Sequence, residues 1–141
     1  NVKQQSFLRY EKGDTYEQHI TTLDAYCAEK GITAIEFLKI DTEGFDYRVL
    51  YGGQNIIGNT RYIQFEYWDG VKKFHDVLSP YFHMYLMMEP VLRRYAKKGF
   101  QGKADHIFNE TLIPLDDWMV HVIDKAFIPD GLGGNILCIK K

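Results

Sequence analysis

Two short apolar runs, each ending in carboxylates, restrict this chain more than anything else in it. The first is Ala34-Ile35-Glu36-Phe37-Leu38-Lys39-Ile40-Asp41, rich in β-branched and large apolar residues. It predicts a strand buried on at least one face. It stops at Asp41-Thr42-Glu43-Gly44, where polarity rises abruptly, and Phe45, Val49 and Leu50 then take helical spacing as far as Gly52-Gly53. The second run, Arg61 to Trp68, places Ile63 and Phe65 on one face and Gln64 and Glu66 on the other. A strand, a helix and a strand in this order make a crossover unit, whose strands pair in parallel if the connection takes the usual right hand.

The remaining pattern extends that unit in both directions. Thr21 or Thr22 is placed to cap a helix, with Asp24 near its positive end and Leu23, Tyr26 and Cys27 as an apolar stripe. Gly31 stops it, because glycine accepts the left-handed conformation of a helix end. Val71, Phe74, Val77 and Leu78 predict a short helix ended by Pro80, and Phe82 to Met88 a third strand. The stretch from Glu89 to Asn109 is polar and basic and shows no clear period. Leu115 to Ala126 predicts a helix, and Asn135 to Lys140 a final strand. Alternating helices and strands are the order of an open α/β sheet. The expectation is one domain over residues 1–141, with a mostly parallel sheet and an antiparallel strand near the carboxyl terminus.

Composition narrows the function classes. In 141 residues, apolar types make up 45% and charged types 26%, which is the balance of a folded globular chain. A formal net charge of -2 gives no sign of a nucleic-acid partner, and the cluster of Lys72, Lys73, Arg93, Arg94, Lys97 and Lys98 reads as exposed helix faces. No run of about 18 apolar residues occurs, so no membrane span is expected, and no secretory signal opens the chain. The expected location is cytoplasmic. Cys27 and Cys138 are expected as buried free thiols. Because the chain opens on Asn1 rather than Met, a fragment, a processed chain or a trimmed one is expected.

Chemistry is expected where strands run out into loops, since ligands of open α/β sheets bind at the carboxyl ends of strands. That rule selects Lys39 to Gly44 and Gln64 to Trp68. Asp41 and Glu66 become neighbours if the two strands pair side by side. Such a carboxylate set can bind an ammonium group, accept a proton from a substrate hydroxyl, or hold a hard cation. Asp41 and Glu43 fit equally as caps of the following helix. The five histidines show no metal-ligand spacing, and no metal site is expected from them. Gly131-Leu132-Gly133-Gly134 precedes a strand rather than linking a strand to a helix, so it reads as a tight turn and not a phosphate loop. Tyr67 and Trp68 close the second run, where they line a substrate or adenine site or else pack in the core.

The residues also carry a resemblance. Thr22-Leu23-Asp24-Ala25-Tyr26-Cys27, then Phe37-Leu38-Lys39-Ile40-Asp41-Thr42-Glu43-Gly44-Phe45-Asp46, then Val49-Leu50-Tyr51-Gly52-Gly53, resembles the FkbM methyltransferase family. Ile63-Gln64-Phe65-Glu66 is similar to that family's next strand, and Gly134 to Ile139 to its last. The resemblance implies a Rossmann-like methyltransferase sheet, S-adenosylmethionine as methyl donor, and O-methylation of a sugar or another hydroxylated small molecule. Carried over by motif, Asp41 falls beside the cofactor and the reacting centre, with Thr42 and Gly44 at the cofactor, while Glu43 and Glu66 line the same cleft. Tyr67 and Trp68 would face the acceptor, and a divalent cation aiding deprotonation there is an option the resemblance leaves open. The family normally begins with a strand and a glycine-rich turn that approaches the cofactor, and nothing before Thr21 matches them. The chain is therefore expected to correspond to the carboxyl-terminal part of the domain, lacking the first strands and the main cofactor loop. It is expected to bind cofactor weakly unless another chain completes the sheet. The alternatives are a non-catalytic binding or assembly module on the same fold, and a metal-dependent hydrolase using Asp41.

Overall fold

The computed structural model describes residues 19–99 and 107–141. In chain order these form α1 (Leu23–Lys30), β1 (Ile35–Lys39), α2 (Asp46–Tyr51), α3 (Gln54–Ile57), β2 (Thr60–Tyr67), α4 (Lys72–Leu78), β3 (Phe82–Met87), α5 (Pro90–Gly99), β4 (Leu112–Pro114), α6 (Asp117–Val122) and β5 (Gly134–Lys140). Helix α1 starts where Thr22 accepts a hydrogen bond from the Ala25 N–H at 3.1 Å. It ends at Gly31, whose φ of 66° lets the chain turn back. Tyr26, expected on its apolar stripe, is exposed, and Cys27 is the buried residue.

The strands order as β1-β2-β5-β3-β4. β1 pairs with β2 in parallel, as the crossover unit requires, with Phe37 opposite Tyr62 and Lys39 opposite Gln64. The other three neighbouring pairs are antiparallel. The expectation of a mostly parallel sheet is thus corrected. β1, β2 and β3 do run the same way, but β5 inserts between β2 and β3 and pairs antiparallel with both. The short strand β4, which the sequence did not suggest, then turns back along β3. The result is a mixed α/β fold with one parallel pair.

Strand alternation decides where the core lies. Ile63, Phe65 and Tyr67 of β2, Ile136 and Cys138 of β5, and Phe82, Met84 and Leu86 of β3 are all buried in one cluster with Leu50, Phe74, Leu78, Leu92, Met119 and Phe127. Phe65 stacks on Phe74 with ring centroids 4.4 Å apart, which fastens α4 to the sheet. The opposite face carries Tyr62, Gln64, Glu66, Asn135, Leu137 and Tyr85, all only partly buried.

The unassigned stretch from Glu89 contains α5, whose Leu92 and Ala96 are buried. The expected helix from Leu115 to Ala126 forms over nearly the same residues, as α6 to Val122 followed directly by a wider π-helical turn over Ile123–Phe127. Both cysteines are free and buried, as their placement suggested. Among the described residues, no helix is long and apolar enough to cross a membrane. The absence of a glycine-rich turn near Asn1 concerns residues outside the described part.

Candidate active site at the carboxyl ends of β1 and β2

The Thr-Leu-Asp and Gly-Gly segments, 30 residues apart in the chain, meet behind the site and brace it. The Asp24 carboxylate accepts hydrogen bonds from the Asn55 and Ile56 backbone N–H groups at 3.1 and 3.0 Å, so α1 caps α3. A side chain on Gly53 would come within 2.7 Å of Leu23, so the close approach of α1 depends on glycine there. These residues carry the family likeness yet do architectural work.

From this brace the chain passes through β1 into the loop Asp41 to Phe45. Glu43 has φ of 50° and Gly44 of 93°, two successive left-handed residues that fold the loop tightly over the strand end. The group that holds this bend is Asp46, only 1% exposed at the start of α2. One of its oxygens accepts from the Thr42 N–H at 3.3 Å and the Thr42 hydroxyl at 3.0 Å. The other accepts from the Glu66 N–H at 3.2 Å. A buried carboxylate is tolerable because these donors replace the water it lost. Asp46 therefore ties the loop after β1 to the end of β2. In the sequence Asp46 is marked only by its place two residues after Gly44 at the start of a helix, and its burial is not legible there.

The structure brings Asp41, Glu43 and Glu66 to one place, the carboxyl ends of the parallel pair. Asp41 lies two residues past the Lys39–Gln64 register, level with Glu66. Its carboxylate meets the Lys39 ammonium at 2.8 Å, with both side chains about half exposed, an ion pair of small energetic weight. Glu66 is raised above the ordinary glutamate value of 4.5. Burial is the largest cause, and the nearby negative charges of Asp41, Glu43 and Asp46 add to it, while a hydrogen bond from the Trp68 side chain pulls the other way. Thr42 and Gly44 are exposed in the same loop.

Tyr67 and Trp68 part company. Alternation turns Tyr67 into the core, where it is fully buried and its hydroxyl has no hydrogen-bond partner among the described residues. Burial also drives its phenol upward in pKa. It presents no surface to a ligand. Trp68 is 50% exposed. Its indole lies against Gly133, where an added methyl carbon would stand 2.9 Å from the ring and 2.7 Å from the Tyr67 carbonyl oxygen. The Gly131–Gly134 segment is thus a turn shaped for Trp68 and β2, as its position before a strand implied. Among the described residues, no three His, Cys, Asp or Glu side chains converge on a cation position.

The methyltransferase FkbM domain matches residues 1–95. The match takes in α1 through β3 and most of α5, with every carboxylate of the site, and it runs beyond residue 80, where the recognisable motifs stop. β5, whose ending resembled the family's last strand, lies outside it. Neither comparison with curated proteins nor comparison with solved structures gives a match. A match over two thirds of the sequence, centred on a strand-end cluster of carboxylates, establishes that the chain belongs to the FkbM methyltransferase family.

Proposed function

We propose that this chain serves transfer of a methyl group from S-adenosylmethionine to a hydroxyl of a small molecule, with Glu66 taking the hydroxyl proton. The observation that carries the reading is the raised Glu66 carboxylate at the end of a strand whose parallel neighbour delivers Asp41. A carboxylate held above its ordinary value is a better proton acceptor near neutral pH than a free one.

The donor set suits a cationic cofactor. The Asp41 and Glu43 carboxylates are exposed beside the strand ends, and with Glu66 they outnumber the single Lys39 ammonium, which favours a sulfonium or an ammonium group there. Asp41, Thr42 and Gly44 are the residues that would hold it. When bound, it supplies a methyl group on a sulfonium, open to in-line displacement, so alignment of the acceptor accounts for much of the rate. Asp46 contributes as a positioning residue, fixing the loop of Asp41 relative to Glu66. Trp68 offers the acceptor an exposed flat wall.

The test is methyl transfer from labelled S-adenosylmethionine to methyl glycosides and simple alcohols as a function of pH. In the wild-type chain kcat/KM rises with pH through the raised Glu66 value and then levels. Glu66→Gln lowers transfer by about 100-fold or more and abolishes that limb. Undiminished transfer by Glu66→Gln would remove Glu66 from the chemistry.

A further inference from the structure

A second set of polar side chains lies on the same sheet face as Glu66. Gln64 Nε2 donates to Asn135 Oδ1 at 3.2 Å, and Asn135 Nδ2 donates to Glu89 Oε1 at 2.9 Å. Three strands contribute: Gln64 is two residues before Glu66 on β2, Asn135 stands opposite Glu66 on β5, and Glu89 follows the end of β3.

The direction of this relay is not arbitrary. An ionised carboxylate only accepts hydrogen bonds, whereas an amide offers NH2 at one end and oxygen at the other. Glu89 therefore requires Asn135 to turn its NH2 outward to it, which leaves the Asn135 oxygen facing Gln64. Gln64 must then give its own NH2 to Asn135. Its oxygen is left over, with no donor among the described residues, on the partly exposed face beside Glu66. Without a carboxylate at the far end, both amides could flip together at little cost, and the free end would present donor and acceptor alike.

We infer that Glu89, Asn135 and Gln64 form a polarised amide relay that positions a second hydroxyl of the acceptor, next to the one that gives its proton to Glu66. The relay rests on the methyl-transfer reading and deepens it: the acceptor class is a diol or larger polyol, not a molecule with a lone hydroxyl. A hydroxyl donating to Gln64 Oε1 aligns its neighbour on Glu66. A molecule lacking that hydroxyl leaves the amide oxygen without a donor, and such a mismatch is discriminated strongly. Asn135 lies outside the span matched by the family, so this preference is carried in part by residues the family description does not reach.

The experiment compares trans-1,2-cyclohexanediol with cyclohexanol as methyl acceptors, using the wild-type chain, Glu89→Gln and Asn135→Leu, with thermal melts to confirm folding. The wild type is expected to favour the diol by about tenfold or more in kcat/KM. Either variant is expected to reduce that preference to below about threefold, mainly through KM for the diol. Glu89→Gln changes an exposed side chain by one atom, so it reports on the relay even if Asn135→Leu fails to fold. A preference retained in Glu89→Gln overturns the relay while leaving methyl transfer intact. If the wild type methylates neither alcohol nor any methyl glycoside, the proposed function falls and the relay falls with it.

Discussion

Asp46 and Glu66 are two carboxylates joined by one hydrogen bond, and their environments assign them opposite duties. Asp46 is saturated with donors and serves structure. Asp46→Ala strands the Thr42 and Glu66 N–H groups, and urea unfolding is expected to show a loss of about 2–4 kcal/mol. Glu66 is partly desolvated and crowded by like charge, which is why the proposed proton transfer is assigned to it. Because its folded value is raised, the stability it contributes is fully present below the ordinary glutamate value of 4.5 and is lost as pH rises through the raised one. Glu66→Gln is therefore expected to raise Tm at pH 8 slightly, by roughly 1–2 °C, while removing the proposed methyl transfer; a lowered Tm at pH 8 would contradict the electrostatic account. The gathering of Asp41, Glu43 and Glu66 was legible in the sequence because each stands where a predicted strand of one crossover unit runs out. Which of its two readings, ligand wall or core, holds for Tyr67 was not legible, since its burial depends on which face of β2 meets α4 and α5. Gln64, Asn135 and Glu89 were illegible, because their contact spans 71 and 46 residues of chain.

Among the elements, those with strong local signals were readable and those made by tertiary packing were not. β1, β2, β3 and β5 fall within two residues of their expected limits, and the Thr22 and Gly31 caps of α1 follow from local chemistry alone. α5 hid within a basic stretch because only Leu92 and Ala96 are buried along it. β4 is three residues long and exists through its pairing with β3. The turn before β5 is the element whose sequence is most narrowly fixed. Gly133→Ala drives a methyl carbon into the Tyr67 carbonyl oxygen and the Trp68 ring. The expected cost is about 1–3 kcal/mol in chemical denaturation. Trp68 fluorescence should change with it, because the indole must move; an unchanged spectrum and stability would show that the turn yields freely.

At the scale of the whole molecule, the sheet order was the least legible property. Periodicity reports which residues form strands but carries little information on where a late strand inserts, and the β5 insertion between β2 and β3 turned an expected parallel sheet into a mixed one. The same order leaves β1 at the edge, paired only with β2 among the described residues, with Phe37 51% exposed. Exposed apolar edge strands template association. Phe37→Lys is expected to lower light scattering at high protein concentration while changing stability by less than about 0.5 kcal/mol. Scattering that does not fall would place the sticky surface elsewhere. What the topology does secure is the parallel β1–β2 pair, which delivers the carboxylates of two strands to one basin around Glu66. The most direct test of that claim is the titration of Glu66 by carboxyl-carbon NMR in the wild type and in Asp41→Asn. The account requires a Glu66 pKa above 4.5 in the wild type and a lower one once the Asp41 charge is gone. A Glu66 that titrates at or below 4.5, indifferent to Asp41, would contradict it.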